Sequence, residues 1–381
     1  MFIVNGHFYI EIKSNGKVLP YPPGTFDYIM IIQNTLQLLP TLTIELNDSS
    51  YLAQRDFPMV DGTPLSVKMG TINEKEAPIE MRFRVISTPR MTAFGSGSRQ
   101  RIKAILDCDK IFSVPDKSYK GTSADVISEI AKECGLNPET DITNDSMTWL
   151  PLRKKLGQFM YAITDYAWSD DKSFFAMGIT DTHKLRLKNI SLLKKEEPKV
   201  QIFYSENPPQ SQIGTKIQAT NFEFSSVSGY SNTTFNYGMR SVQDKMDGSA
   251  NEYTKLEVDK NSNFLEMSKN SKSKVGIARS FGAPIDLGNT HEKFEKARYQ
   301  NKRSAATYGV RANIQLGNPS TAELLDLINL YTPRSRGDAN DMFNGNYILT
   351  AKTRLVTGNV YTEKVTLVSQ GRGLDPNGEL Q

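Results

Sequence analysis

One pattern constrains this chain more than any other, because it occurs twice. Across residues 79–108, Met81-Arg82-Phe83-Arg84-Val85 alternates apolar and basic side chains. Thr92-Ala93-Phe94-Gly95-Ser96-Gly97-Ser98 is glycine-rich and does not continue a strand. Arg101-Ile102-Lys103-Ala104-Ile105-Leu106 then alternates again. Period two with a glycine-containing break predicts a β-hairpin. The pattern returns across residues 347–355, which run to a Gly358-Asn359 turn and a second arm over 361–368. A short strand precedes each hairpin, Leu65-Ser66-Val67-Lys68-Met69 in one case and residues 326–331 in the other. The repetition predicts one small β-module used twice.

The rest of the chain fits around those modules. Phe8-Tyr9-Ile10-Glu11-Ile12, residues 29–32 and Leu42-Thr43-Ile44-Glu45-Leu46 read as strands. Ser14-Asn15-Gly16 and Val60-Asp61-Gly62-Thr63-Pro64 read as turns, and Pro20-Tyr21-Pro22-Pro23-Gly24 as a rigid connector. Thr122, with Asp125 three residues on, predicts a capping box opening a helix. Val126, Ile127, Ile130, Ala131 and Cys134 fall on its inner face, and Gly135 stops it. A second helix is expected after Pro151, with Leu152, Leu156, Phe159, Ile163 and Ala167 as its stripe. A hairpin then turns at Thr180-Asp181-Thr182-His183. Strands resume at 216–224, with 236–240 a weaker candidate, and again at 308–314. Asn270-Ser271-Lys272-Ser273-Lys274 reads as a mobile loop, and a basic helix is expected over 292–306.

The expected fold class is therefore mainly β with α+β insertions: two antiparallel β-barrel or sandwich modules and a helix-bearing domain. The expected bounds are 1–108 for the first module and 109–208 for the α/β domain. The second module takes 209–244 and 306–370, is split by an insertion at 245–305, and is followed by a tail at 371–381.

Composition narrows the function classes. A net charge of +4 over 381 residues does not predict a nucleic-acid grip. No apolar run reaches the length of a membrane span, and the start of the sequence lacks the regions of a signal peptide. The two cysteines, Cys108 and Cys134, match no metal or redox spacing. They read as reduced thiols, with a disulfide between them as the alternative.

No catalytic, metal or cofactor site is expected. His7, His183 and His291 lie in three different regions. His291-Glu292 begins like a zinc-protease helix, but Glu295 stands where the second histidine would be needed. Gly95-Ser96-Gly97 joins two predicted strands, so it is a poor phosphate cradle. Asp170-Asp171 beside Trp168 reads as a capped turn in preference to a glycosidase pair. The basic positions on the hairpins are the candidates that remain. Arg82, Arg84, Lys103, Lys352, Arg354 and Lys364 are expected to point outward, either to solvent or to a channel or neighbouring subunit. Lys293, Lys296, Arg298, Lys302 and Arg303 on the basic helix carry the same two readings.

The order of parts resembles the central baseplate hub proteins of contractile phage tails, and the N-terminal part of type VI secretion spike proteins. The best local likeness runs from Tyr119-Lys120-Gly121-Thr122-Ser123 through Trp149, then over the helix to Trp168 and the strand at 174–177; the closing hairpin is a second match. The resemblance implies a structural protein and no enzyme. It implies a homotrimer of tail-tube-like barrels that forms a pseudo-sixfold ring. That ring would join a sixfold tail tube to a threefold central spike and surround the channel for DNA. The implied partners are the tail tube protein, the spike and other baseplate proteins, in a virion assembled in bacterial cytoplasm, with no stable membrane insertion. These residues include no stretch that reads as a spike or lysozyme domain, so those tasks are expected to fall to other chains. Three readings compete: the hub of a long non-contractile tail, a tail-associated cell-wall hydrolase using Asp170, Asp171 or Cys134, and a carbohydrate-binding β-module.

Overall fold

The computed structural model describes residues 2–4, 8–19, 25–48, 55, 57–71, 78–87, 90–94, 97–204, 216–226, 240–247, 252–258, 277–280, 285–286, 290–331 and 344–369. His7, the Pro20 to Gly24 connector, Gly95 and Ser96, Asn236 to Met239, Asn270 to Lys274 and the 371–381 tail lie outside them.

The first module contains β1 (Phe2–Val4), β2 (Phe8–Ser14), β3 (Lys17–Val18), β4 (Phe26–Asn34), β5 (Thr41–Asp48), β6 (Pro64–Thr71), β7 (Ile79–Val85), β8 (Arg90–Phe94) and β9 (Gly97–Leu106). Its main strands lie side by side in the order β2-β6-β7-β9-β5-β4. Alternation drives the burial: Phe8, Ile10 and Ile12 of β2 face the same core as Leu42, Ile44 and Leu46 of β5. Asn15 and Gly16, with φ of 49° and 78°, make the tight turn into β3. The 79–108 hairpin expectation needs correcting. β7 meets β9 over three residue pairs only, and β8 makes the tight hairpin with β9, ending at Phe94 opposite Gly97.

The helix-bearing unit follows the 3-10 turn Asp109–Phe112. It holds β10 (Tyr119–Gly121), α1 (Ser123–Glu133), β11 (Asn137–Thr140), β12 (Met147–Trp149), α2 (Leu156–Tyr166), β13 (Phe175–Ile179), β14 (Lys184–Asn189) and the short α3 (Ile190–Leu193). The capping box is present as expected: Asp125 N donates to Thr122 Oγ1, and Thr122 N donates to Asp125 Oδ2 at 3.1 Å. Gly135 ends the helix at φ 72°. Leu152 is a second correction. It lies outside α2, exposed, at φ 48°, because Leu152 and Arg153 both adopt left-handed backbone before the helix begins.

The second module starts with β15 (Val200–Phe203) and β16 (Lys216–Ser226). β17 (Arg240–Asp247), β18 (Glu252–Val258), β19 (Ile277–Ser280) and β20 (Ile285–Asp286) form a separate small sheet. The basic helix is α4 (Phe294–Thr307). β21 (Val310–Leu316), β22 (Leu327–Tyr331), β23 (Gly345–Thr357) and β24 (Val360–Ser369) complete the module. Its six strands close into a barrel, β15-β22-β23-β24-β21-β16, and β16 pairs back onto β15.

Both modules place their strands in one spatial order. The first strand of each neighbours the fourth, then come the fifth, the sixth, the third and the second. They differ in the direction of the first strand: β2 is antiparallel to β6, whereas β15 is parallel to both β22 and β16. The repetition read from two hairpins is thus a repetition of whole modules, and the mainly β fold class with α+β insertions is borne out.

β23 belongs to both modules. Its first half pairs with β22, and from Ala351 onward it pairs with β4. The change happens at a bulge, where Leu349 faces Leu367, Ala351 faces Thr366, and Thr350 is the extra residue.

Candidate functional site

The six outward candidates separate into two groups. Arg82, Lys103 and Lys364 are exposed. Arg84 is half-buried: its Nε donates to Asp107 Oδ1 at 2.9 Å and its Nη2 to Asp107 Oδ2 at 3.2 Å. Lys352 and Arg354 do not point outward; they are 1% and 3% exposed. The bulge is the physical reason. One extra residue in a period-two strand moves every later side chain to the other face.

On that inner face the two cations meet three elements. Arg354 stands directly across the ladder from Glu363, with its Nε 3.6 Å from Glu363 Oε2. Its Nη2 is ion-paired to Asp181 at the β13–β14 turn. Lys352 Nζ lies 3.5 Å from Glu363 Oε1 and donates to the carbonyls of Ser320 and Ala322, both at 2.8 Å. Tyr361 donates to Glu363 Oε2 at 2.9 Å, and Ser320 N donates to Glu363 Oε1 at 3.2 Å. Two positive and two negative charges sum to zero, which offsets part of the cost of burying them.

Electrostatics follows from this packing. Burial pushes the Asp181 carboxyl up, but the adjacent Arg354 and Lys352 charges outweigh it and hold it below the ordinary value. Burial and the Arg354 charge push the Lys352 ammonium down against the pull of Glu363 and Asp181. Burial next to Glu363 raises the Tyr361 hydroxyl well above its usual range.

The cluster sits between two cores. Toward the turn, Val356 and Tyr361 enter the first core, with the Tyr361 ring 4.3 Å from Phe8. Toward the other end, Val365 and Leu367 enter the barrel core. A pocket of about 320 Å³ opens beside it, lined among others by Phe8, Met69, Ile79, Thr182, Pro319 and Arg354. Chemically this is a weld that fixes both modules and the helix-bearing unit to one hairpin. Arg186 makes a second weld. It donates to Asp326 at 2.8 Å, to the Leu324 carbonyl at 2.6 Å and to Glu139 at 2.9 Å.

A charged ladder, with Glu45 buried between exposed arginines, crosses β4, β5 and β9. Arg101 Nε donates to Glu45 Oε2 at 2.7 Å, and Arg99 Nε lies 2.5 Å from Glu45 Oε1 and 2.8 Å from Asp27. Burial pushes Glu45 up, but bonds from Arg101 and Tyr28 and both arginine charges hold it below the usual carboxylate value. Arg99 was not singled out from the sequence, although it continues the period of two from Lys103 through Arg101.

The weaker chemical candidates have structural partners. Asp170 accepts from Lys172 N at 2.7 Å in a turn, and Asp171 pairs with Lys296 at 2.7 Å. Arg298 lies over the Tyr166 ring. The ring of His291 packs against Trp149, and burial lowers its basicity. Cys108 and Cys134 are free thiols, with Cys108 Sγ 3.4 Å from the Cys134 carbonyl. Among the described residues no group of His, Cys, Asp and Glu is placed to hold a metal ion, and no helix is long and apolar enough to cross a membrane.

No family model and no curated protein matches the sequence. Solved structures do match the fold. The tail protein from Neisseria meningitidis MC58 aligns at 8% identity with a TM-score of 0.61, over 95% of this chain and 96% of that one. The 43 kDa tail protein of prophage MuSo2 from Shewanella oneidensis aligns at 11% identity with a TM-score of 0.63, over 95% and 98%. A chain of the half-lidded Francisella PdpA-VgrG complex aligns at 9% identity with a TM-score of 0.51, over 95% of this chain and 58% of that one. At these identities the likeness is one of fold, and the fold of this chain is that of phage-type tail proteins, as its resemblance to baseplate hubs implied.

Proposed function

We propose that this chain is a structural hub of a phage-type tail. It would act as a homotrimer whose six like modules ring the tail axis, with a sixfold tube on one side and a threefold spike on the other. The observation that carries the reading is the repeated strand order within one chain. Three copies of a duplicated module present six similar surfaces, which a symmetry adaptor requires. The likeness in fold to two tail proteins and to a chain of a VgrG complex supports the same role.

Work of this kind needs rigid geometry and no catalytic residue. The two welds supply rigidity by holding the modules and the helix-bearing unit in one arrangement. Arg82, Lys103 and Lys364, the three exposed candidates on the hairpins, would face the channel or a neighbouring copy. In the ladder Glu45 occupies the arginines on its face, so passing DNA would meet paired charges and a weak grip.

Light scattering tests the reading, on the chain alone and then mixed with the tube and spike proteins of the same tail. The expected mass is three times the 42.7 kDa chain, alone or once the spike is present. A monomer that ignores both partners would refute it.

A further inference from the structure

The N-terminal end of α2 carries an exposed apolar surface that the ring does not explain. Three separate segments converge there. Leu156 N donates to Ser113 O at 2.9 Å, joining α2 to the segment after the 3-10 turn. A Cβ at Gly157 would sit 3.3 Å from Ile111 and 3.5 Å from Leu38, so the β4–β5 connection packs on the same helix turn. Tyr161 OH donates to Thr35 O at 3.3 Å one turn further on. The segments present Leu36, Phe112, Val114 and Leu152, exposed by 89%, 46%, 53% and 69%. Single exposed apolar side chains are ordinary, but four on three segments that pack at one helix end are not.

The rim is basic. Lys110, Arg153, Lys154 and Lys155 are exposed and have no acidic partner among the described residues; Lys155 lies 5.9 Å over the Phe112 ring. The presentation is also rigid. Asn34 Oδ1 accepts from both Leu36 N and Gln37 N, at 2.9 and 2.6 Å. Leu152 and Arg153 hold left-handed backbone, at φ 48° and 62°, which side chains other than glycine adopt only under strain. Strain kept at an exposed leucine points to a binding role. A fluid bilayer needs no fixed presentation, whereas a protein interface does.

We propose that this surface docks another protein of the tail, one that brings an apolar centre bordered by carboxylates. The inference rests on the hub reading for the source of the partner and on the surface for its chemistry.

The test measures binding of the purified tube, spike and other baseplate proteins, each in turn, to three forms of the full chain. These are the wild type, Leu152→Gly, and Lys154→Glu with Lys155→Glu. Leu152→Gly relieves the strained backbone, so the variant folds at least as well as the wild type. The expected result is one partner whose affinity falls at least about tenfold in both variants and weakens with salt in the wild type. Unchanged binding of every partner overturns the inference and leaves the hub reading intact if the trimer still forms. Self-association lost in the variants, or flotation on phosphatidylglycerol vesicles lost in them, also overturns it, by assigning the surface to a second copy or to a lipid surface.

Discussion

Asp181 and Arg354 form an ion pair in which both side chains are nearly sealed from water, 4% and 2% exposed. Asp181 comes from the helix-bearing unit and Arg354 from the strand shared by the two modules. Removing one partner leaves the buried group of four charges with a net charge in a dry site. Arg354→Met is expected to cost about 3–5 kcal/mol, and Asp181→Leu a similar amount. The double variant leaves Lys352 and Glu363 paired at 3.5 Å, so it should recover most of the loss. Urea unfolding of all four proteins measures this. A double variant as weak as the sum of the singles would show that the pair is not coupled.

Acid should loosen the chain in two stages. Burial lowers His183 and His291 below 6.5, so unfolding takes up protons as pH falls through that value, and their contribution fades there. For Glu139, burial pushes upward, but the Lys188 bond and the Arg186 charge outweigh it and hold the carboxyl at about 2, down from 4.5. Its contribution is full above pH 4.5 and is lost as pH falls toward about 2. Asp181 and Glu45 shift in the same direction. Thermal midpoints from pH 7 downward should therefore decline gently at first and steeply below about 4.5, and Glu139→Gln should blunt the steep part. A midpoint constant across the steep window would contradict the ion-pair account.

Asn301 on α4 holds the end of α2. Its Nδ2 donates to the carbonyls of Ala167, Asp165 and Thr164, at 2.9, 3.1 and 3.3 Å, and its Oδ1 accepts from Phe175 N at 3.1 Å. Asn301→Ala removes these buried hydrogen bonds, at a cost of about 2–3 kcal/mol. Amide exchange reads the effect locally. The Phe175 amide should exchange at least about tenfold faster, while the amides of the distant β5 keep their rates.

These residues also show what the sequence could reveal. Strands with unbroken alternation, such as β2 and β5, and a helix with its own capping box, α1, were legible from local pattern. Leu152 misled because it sits four residues before Leu156, at helical spacing, while its backbone is left-handed. Gln300 and Asn301 do not stand out on the basic helix, since nothing local records that they meet carbonyls of α2 and the segment after it. Arg186 and Asp181 gain their meaning from contacts across more than a hundred residues, and Glu363 from one across 43, to which period and composition are blind.

Lys352 and Arg354 turn inward, against the period of the sequence, because of a single residue. Alternation along β23 changes phase at Thr350, the extra residue between Leu349 and Ala351. Before the bulge, Tyr347 and Leu349 fill the barrel core; after it, Lys352, Arg354 and Val356 take the inner face. Thr350 also bonds outward, since its carbonyl accepts from Thr35 N at 3.0 Å and its hydroxyl donates to Thr366 O at 3.2 Å. Deleting Thr350 restores a straight ladder, and the strand can then satisfy only one half. Either the charges turn to solvent and leave Asp181 and Glu363 buried alone, or Tyr347 and Leu349 leave the barrel core. Both outcomes cost several kcal/mol, on the order of a buried charge or two large apolar side chains. Thr350→Ala keeps the bulge and loses one hydroxyl bond, about 1 kcal/mol. Thermal unfolding should therefore rank the wild type just above Thr350→Ala, with the deletion far below both. A deletion variant as stable as Thr350→Ala would mean that the phase change is not what buries Lys352 and Arg354.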